Sequence, residues 1–257
     1  MIPIKVLVPS GVLGLGFDLE ALNNGVKNNP DIISIDGGST DSGPYSLGSG
    51  TSKYSRAAIK AEWKSLMIAR KKANVPLVIG SCGTCGTNGM VDWMENITIE
   101  LAEELNQNIK IAKLYCQQEK NFIKKKFQLS KIFPLNPAPM LNDQLIEEMT
   151  NIVALAGAEQ IQECINTGAE IILAGRTTDT AIISALPLMK GANPGSSWHG
   201  AKVVECGALC STNPTSGVVM VEFDKTGFTV EPMSKNAFCT SETVAAHMLY
   251  ENADPYI

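Results

Sequence analysis

Carboxylates and hydroxyls are set beside glycine at several points of this chain, and those groups define the chemistry open to it. Only two histidines are present, His199 and His247, so general acid–base work falls mainly to carboxylates, thiols, lysines and hydroxyls. The sharpest stretch is DGGSTDSGP, in which Asp36 and Asp41 bracket Ser39 and Thr40, with Ser42 beyond. Such a turn can cradle a carboxylate, phosphate or carbonyl group while Asp36 or Asp41 moves a proton. The competing reading is an Asx-turn whose side chains satisfy their own backbone.

Cys82 and Cys85 have CxxC spacing in GSCGTCG, flanked by Ser81 and holding Thr84. A zinc site would need two further ligands, and no second CxxC or HxxxH accompanies the pair, so no metal ligands are assigned. Small residues in a tight loop account for the motif, with a catalytic thiol as the sharper alternative. AGRTTDT sets Arg176, Thr177 and Asp179 just before a helix; the arginine fork suits a carboxylate or phosphate, and an Arg176–Asp179 structural pair is the bland account. Glu205 beside Cys206 reads as a further acid at a strand end. His247 reads as a packed residue on an amphipathic helix, and His199 as surface in a Gly/Ser/Pro loop. GVLGLG has the wrong glycine spacing for a dinucleotide fingerprint.

These residues must be positioned by elements that the hydrophobic pattern outlines. Strands are expected at IKVLVP, DIISID, Val75–Ile79, Ile109–Tyr115, Asn151–Ala156 and Glu170–Ala174, with a further one ending at Ala201–Cys206. Helices fall between them: FDLEALNNGVKNN, a basic one within Thr51–Asn74 burying Ala57, Ile59, Trp63, Leu66 and Met67, then Val91–Leu105, Glu159–Thr167 and Thr180–Met189. The alternation predicts an α/β fold, a largely parallel sheet with helices on both faces. A β-hairpin, VVMVEF and GFTVEPM joined by DKTG, and a terminal helix capped by Ser241 or Thr240 complete it. EKNFIKKKFQ and the proline-broken FPLNPAPM suggest a lid or insertion at 117–143 of a single domain spanning 1–257. Nearly every expected strand ends in glycine plus a reactive group, and ligands of open parallel sheets bind outside those ends.

A net charge of −5 gives no electrostatic footprint for nucleic acid, and no apolar stretch approaches a membrane span. An odd number of cysteines without a secretion signal suggests reduced thiols in the cytoplasm.

Two resemblances follow from these residues. DGGST is similar to the phosphate-binding DxGGT turn of actin-like kinases and hydantoinases, although that turn sits in a hairpin on the first strand. More extensively, DIISIDGGSTDSGPYSLG, PLVIGSCGTCG, GAEIILAGRTTDTAI, KVVECGALC and CTSETVAAHMLYENADPY together resemble the N-terminal region of the acyclic terpene utilisation family, AtuA. Members of that family are usually longer, so the resemblance implies the N-terminal part of a longer architecture. It implies a bacterial role in the breakdown of branched acids beside acyl-CoA chemistry. It singles out Asp36, Ser39, Thr40, Asp41, Arg176, Asp179 and Glu205.

The expectation is an enzyme of small or branched carboxylic acid or acyl-CoA catabolism, a lyase or hydratase with Asp36, Asp41 and Glu205 catalytic. Ser39, Thr40, Ser42, Ser81, Thr84, Arg176, Thr177 and Asp179 would bind substrate, a small carboxylate or CoA thioester, with no further cofactor assigned. The alternatives are a non-catalytic subunit binding acyl-CoA or a partner chain, as a homo-oligomer or with a separate C-terminal subunit, and a nucleotide-dependent enzyme.

Overall fold

The computed structural model describes residues 2–38, 43–138 and 140–251. Seven strands form one sheet in the order β4-β5-β3-β2-β1-β6-β7. The five parallel strands are β1 (Ile4–Val8), β2 (Ile32–Asp36), β3 (Leu77–Gly80), β4 (Ile111–Leu114) and β5 (Ile171–Ala174). β6 (Val219–Phe223) runs antiparallel to β1 and forms a hairpin with β7 (Phe228–Pro232).

The right-handedness of parallel crossovers explains where the helices lie. The chain steps in one direction from β1 to β4, so α1 (Leu19–Lys27), α3 (Arg56–Ala73) and α4 (Asn88–Glu104) pack on one face. A short helix, α2 (Tyr45–Ser49), precedes α3. The chain then turns back from β4 to β5, and α7 (Ala158–Asn166), α8 (Ala181–Met189) and α9 (Pro194–Val204) cover the other face. Strand alternation feeds both cores: Leu7 points to the first, Val6 and Val8 to the second. β3 and β5 are neighbours whose following helices leave to opposite faces, which makes their carboxyl ends the switch point of the sheet.

Most expected elements are present. α3 buries Ile59, Trp63, Leu66 and Met67 as its spacing requires, whereas Ala57 in its first turn is exposed. Two expectations fail. Asn151–Ala156 makes only single bridges, Val153 to Gln117 and Ala156 to Thr177, because it runs beside loops and has no strand partner along its length. Ala201–Cys206 is no strand: it continues α9, which Asn193 caps by accepting from the Ser196 amide at 3.0 Å, with Pro194 in the first turn. Burial of Ser197, Gly200, Ala201, Val203 and Val204 at helical spacing overrides the strand preference of two adjacent valines. His199 is exposed as expected, but on α9, edge-on to Phe228.

The Lys-rich stretch forms α5 (Lys120–Gln128), which buries nothing and packs on α6 (Asp143–Glu148). The two helices cover a polar cavity of about 490 Å³ bordered by Asn88, Gln117 and Glu147. α10 (Ser241–Glu251) is capped by Thr240, whose hydroxyl accepts from the Thr243 amide, and not by Ser241. DGGST follows β2, which pairs in parallel with β1, so the turn does not occupy a first-strand hairpin. Among the described residues no helix is long and apolar enough to cross a membrane.

The keystone of the first core is Trp63, fully buried, its indole N–H donating to Thr98 Oγ1 at 2.9 Å. Trp63→Ala should lower the free energy of unfolding by about 3–5 kcal/mol. Urea denaturation measures this, and a change below about 1 kcal/mol would remove Trp63 from the core's support.

Candidate functional site

The loops after β2, β3 and β5 meet at the carboxyl rim and close over one another. Gly37 N–H donates to the Gly80 carbonyl at 2.7 Å, and Ser81 N–H to that of Gly175 at 2.8 Å. Gly86, at φ +64°, leaves no room for a side chain: a Cβ there would lie 2.4 Å from the backbone nitrogen of Arg176. The Arg176 guanidinium reaches across the joint and donates to the carbonyls of Gly38 (3.1 Å) and Thr84 (3.0 Å).

Several residues expected to bind a ligand lie within this joint. Ser81, Thr84, Arg176 and Thr177 are all buried. The Ser81 hydroxyl meets the backbone of Thr177, and Thr84 Oγ1 accepts from the Lys53 amide. The side chains of Ser81, Thr84 and Arg176 bond to loop backbone here, where three strand ends arriving together leave groups that water cannot reach. Cys82 and Cys85 are buried free thiols in the same loop, and burial pushes the Cys82 thiol well up. Ser39, Thr40, Asp41 and Ser42 lie outside the described residues.

Asp36 closes β2 beneath this joint. One oxygen accepts from the Gly38 amide at 2.9 Å; the other, Oδ1, has no partner, like Thr177 Oγ1, and both face the Cα of Gly80. Burial pushes the Asp36 carboxyl well above the usual range, and repulsion from Asp179 adds to this, while the Gly38 amide and Arg176 pull it down. Asp36 is 3% exposed.

The open part of the rim lies nearer β1. A cavity of about 420 Å³ is bordered by the first glycine loop, Ser10 to Gly16, and across from it by Asp179, Glu205, Cys206 and Tyr250. Val12, Leu15 and Leu209 supply apolar wall. The glycine loop is held from below: Leu13 N–H donates to the Asp36 carbonyl at 2.8 Å and Gly14 N–H to Glu62 at 2.7 Å. Gly11 is a glycine because its Cβ would meet the Cys206 backbone at 3.0 Å.

Lys202 pairs with two of the acids here. Lys202 Nζ lies 2.6 Å from Glu205 and 2.7 Å from Glu251. Burial alone would lower the Lys202 ammonium, but its hydrogen bonds to Glu205 and Glu251 outweigh that and push it up. Its partner moves against ordinary ion-pair behaviour: burial pushes Glu205 up to about 7, Lys202 draws it down, and Asp179 and Glu251 add repulsion. An ammonium divided between two carboxylates cannot compensate the more buried one fully. His247 is packed, as expected, yet its Nε2 is buried without a hydrogen-bond partner. That nitrogen, Cys206 Sγ and a Glu251 oxygen lie within 4.8 Å of one another. Sequence reading missed this group: it needs Cys206 on the turn after α9 to meet α10 from 41 positions away, and only the i,i+4 spacing of His247 and Glu251 was visible.

Two variants test the joint and the buried acid. Gly86→Ala should cost about 2–6 kcal/mol through backbone strain and overpacking, whereas Gly89→Ala, with open space around it, should stay within about 1 kcal/mol of the parent. Equal stability of the two variants in urea would disprove the tight joint. For Asp36, a raised folded pKa means its stabilising contribution is full below its ordinary value near 3.8 and lost as pH rises through the folded value. Asp36→Asn has no charge to bury, so its stability relative to the parent should rise from pH 4 to pH 8. A pH-independent difference between the two denaturation curves would contradict this.

A model of the acyclic terpene utilisation family protein AtuA matches residues 47–257. The matched stretch holds Arg176, Asp179, Glu205 and the Cys206–His247–Glu251 group, while the first glycine loop and Asp36 precede it. No curated protein and no solved structure matches the chain. A match of this length places the chain in the AtuA family of acyclic terpene utilisation.

Proposed function

We propose that the chain is an enzyme of branched carboxylic acid catabolism that adds or removes water next to the carbonyl of an acyl substrate, as a hydratase or lyase does. The observation that carries this is the cavity at the rim, lined by two carboxylates, Asp179 and Glu205, together with a glycine loop and apolar side chains. The wall formed by Val12, Leu15 and Leu209 suits a branched hydrocarbon chain. Backbone N–H groups of the glycine loop suit a thioester or carboxylate oxygen.

In the dehydration direction one carboxylate takes the proton from the carbon next to the carbonyl. The electron pair of that C–H bond becomes the new C=C bond, and the hydroxyl on the adjacent carbon leaves as water with a proton from the other carboxylate. Asp179 and Glu205 repel each other electrostatically, which favours a state in which they hold one proton between them. Family membership supports the substrate class, since acyclic terpene breakdown yields branched acids. Arg176 holds the rim together, and Asp36 and Asp41 are further acids from which the reaction could draw a proton.

A thermal-shift screen of branched 3-hydroxyacyl and 2-enoyl CoA thioesters should identify the substrate. A ligand at a hundred times its Kd stabilises by about 2.7 kcal/mol. With that substrate, Glu205→Gln and Asp179→Asn should each lower kcat about 10²–10⁴-fold with the thermal shift retained, read from enoyl absorbance. Full turnover by both variants would refute the assignment.

A further inference from the structure

We propose that Cys206, His247 and Glu251 form a zinc site whose fourth position opens into the rim cavity. The three donors belong to two elements, the turn after α9 and one face of α10, and they converge on a single point. Tetrahedral zinc with bonds of about 2.3 Å to sulfur and 2.0–2.1 Å to nitrogen and oxygen sets its ligands roughly 3.3–3.6 Å apart. Cys206 Sγ lies 3.4 Å from Glu251 Oε1, and His247 Nε2 lies 3.5 Å from the same oxygen. Two of the three edges are thus already those of a coordination polyhedron, and the third, between Cys206 Sγ and His247 Nε2, is no longer than 4.8 Å.

The second observation is His247 itself. Its side chain is 2% exposed, and Nε2 has no hydrogen-bond partner although it faces a thiol and a carboxylate. A buried imidazole nitrogen without a partner is costly unless something binds it, and a divalent cation uses the lone pair of the neutral ring. Charge points the same way. Lys202 is bonded to both Glu205 and Glu251, so one ammonium is divided between two carboxylates, and a divalent ion at Glu251 would add the balancing charge. Lys202 would keep its place as an outer partner, holding the second oxygen of Glu251 at 2.7 Å and fixing the carboxylate's orientation. Sulfur, nitrogen and oxygen donors in a tetrahedral set select zinc over magnesium or calcium.

Cys206 borders the cavity, as does Tyr250, whose ring stacks on that of His247 at 6.1 Å. Three protein ligands with an open fourth position are the arrangement of catalytic zinc, as opposed to the closed four-ligand set of structural zinc. The site adjoins the carboxylate pair but is detected without substrate, so a failed turnover assay and a failed metal titration are separate results.

The test uses the full chain, stripped of metal by a chelator and titrated with zinc and, separately, cobalt(II). One equivalent of either should bind, and cobalt should give the near-ultraviolet band of a thiolate ligand with the strong visible bands of a tetrahedral ion. Cys206→Ser should abolish the thiolate band, and His247→Ala and Glu251→Gln should each weaken binding at least tenfold. Cys239→Ser should leave the spectrum intact; this control matters because Cys239 lies 3.9 Å from Cys210 and is the nearest competing thiol pair. Circular dichroism of the metal-free variants checks folding, and if Cys206→Ser does not fold, Glu251→Gln decides. Absence of stoichiometric binding, binding unchanged by the ligand variants, or a thiolate band lost with Cys239 in place of Cys206 would overturn the site.

Discussion

The Arg176 guanidinium bonds to the carbonyls of Gly38 and Thr84, and the rest of the rim depends on this contact. A buried cation must find acceptors, and backbone carbonyls at three converging strand ends need donors that water cannot supply. Each requirement answers the other. Because Arg176 belongs to the loop after β5 while its acceptors belong to the loops after β2 and β3, the switch point of the sheet is locked. Ser81, Cys82, Thr84 and Thr177 are buried around that lock.

Closure at β3 and β5 shifts the accessible chemistry toward β1. There the first glycine loop, braced by Asp36 and Glu62, faces the end of α9 across an open cavity. The electrostatics of this side differ in kind from those of the lock. In the lock a cation is surrounded by carbonyls; around Lys202 a cation is outnumbered by carboxylates. Undercompensated acids are a poor choice for stability, since burying charge without full pairing costs more than it returns. The proposed function and the proposed zinc site both draw on this arrangement, by moving a proton or holding a cation.

Several features were legible because they rest on local physics. Short apolar runs separated by amphipathic helices announced a parallel sheet, and VVMVEF-DKTG-FTVEP announced the hairpin that extends it past β1. The glycine-rich stretches after β1, β3 and β5 do follow strands as read, whereas ECGALC follows the helix α9. The valine pair at 203 and 204 misled, because intrinsic preference for strand is worth less than burying one face of α9 against the sheet. Gly200 illustrates the same point from the other side: a Cβ there would strike Phe223 at 2.6 Å, so the helix is drawn onto the hairpin more closely than any local signal indicates.

By itself the sequence determined the kinds of element, their order and the polar character of the rim, since periodicity and turn chemistry act over a few residues. Tertiary structure alone decided which polar groups are sealed and which meet solvent. It gave Arg176 to the backbone, left Asp179 and Glu205 at a cavity, and brought Cys206 to His247 and Glu251. These outcomes turn on distances between segments far apart in the chain, set by how the two layers of helices close on the sheet.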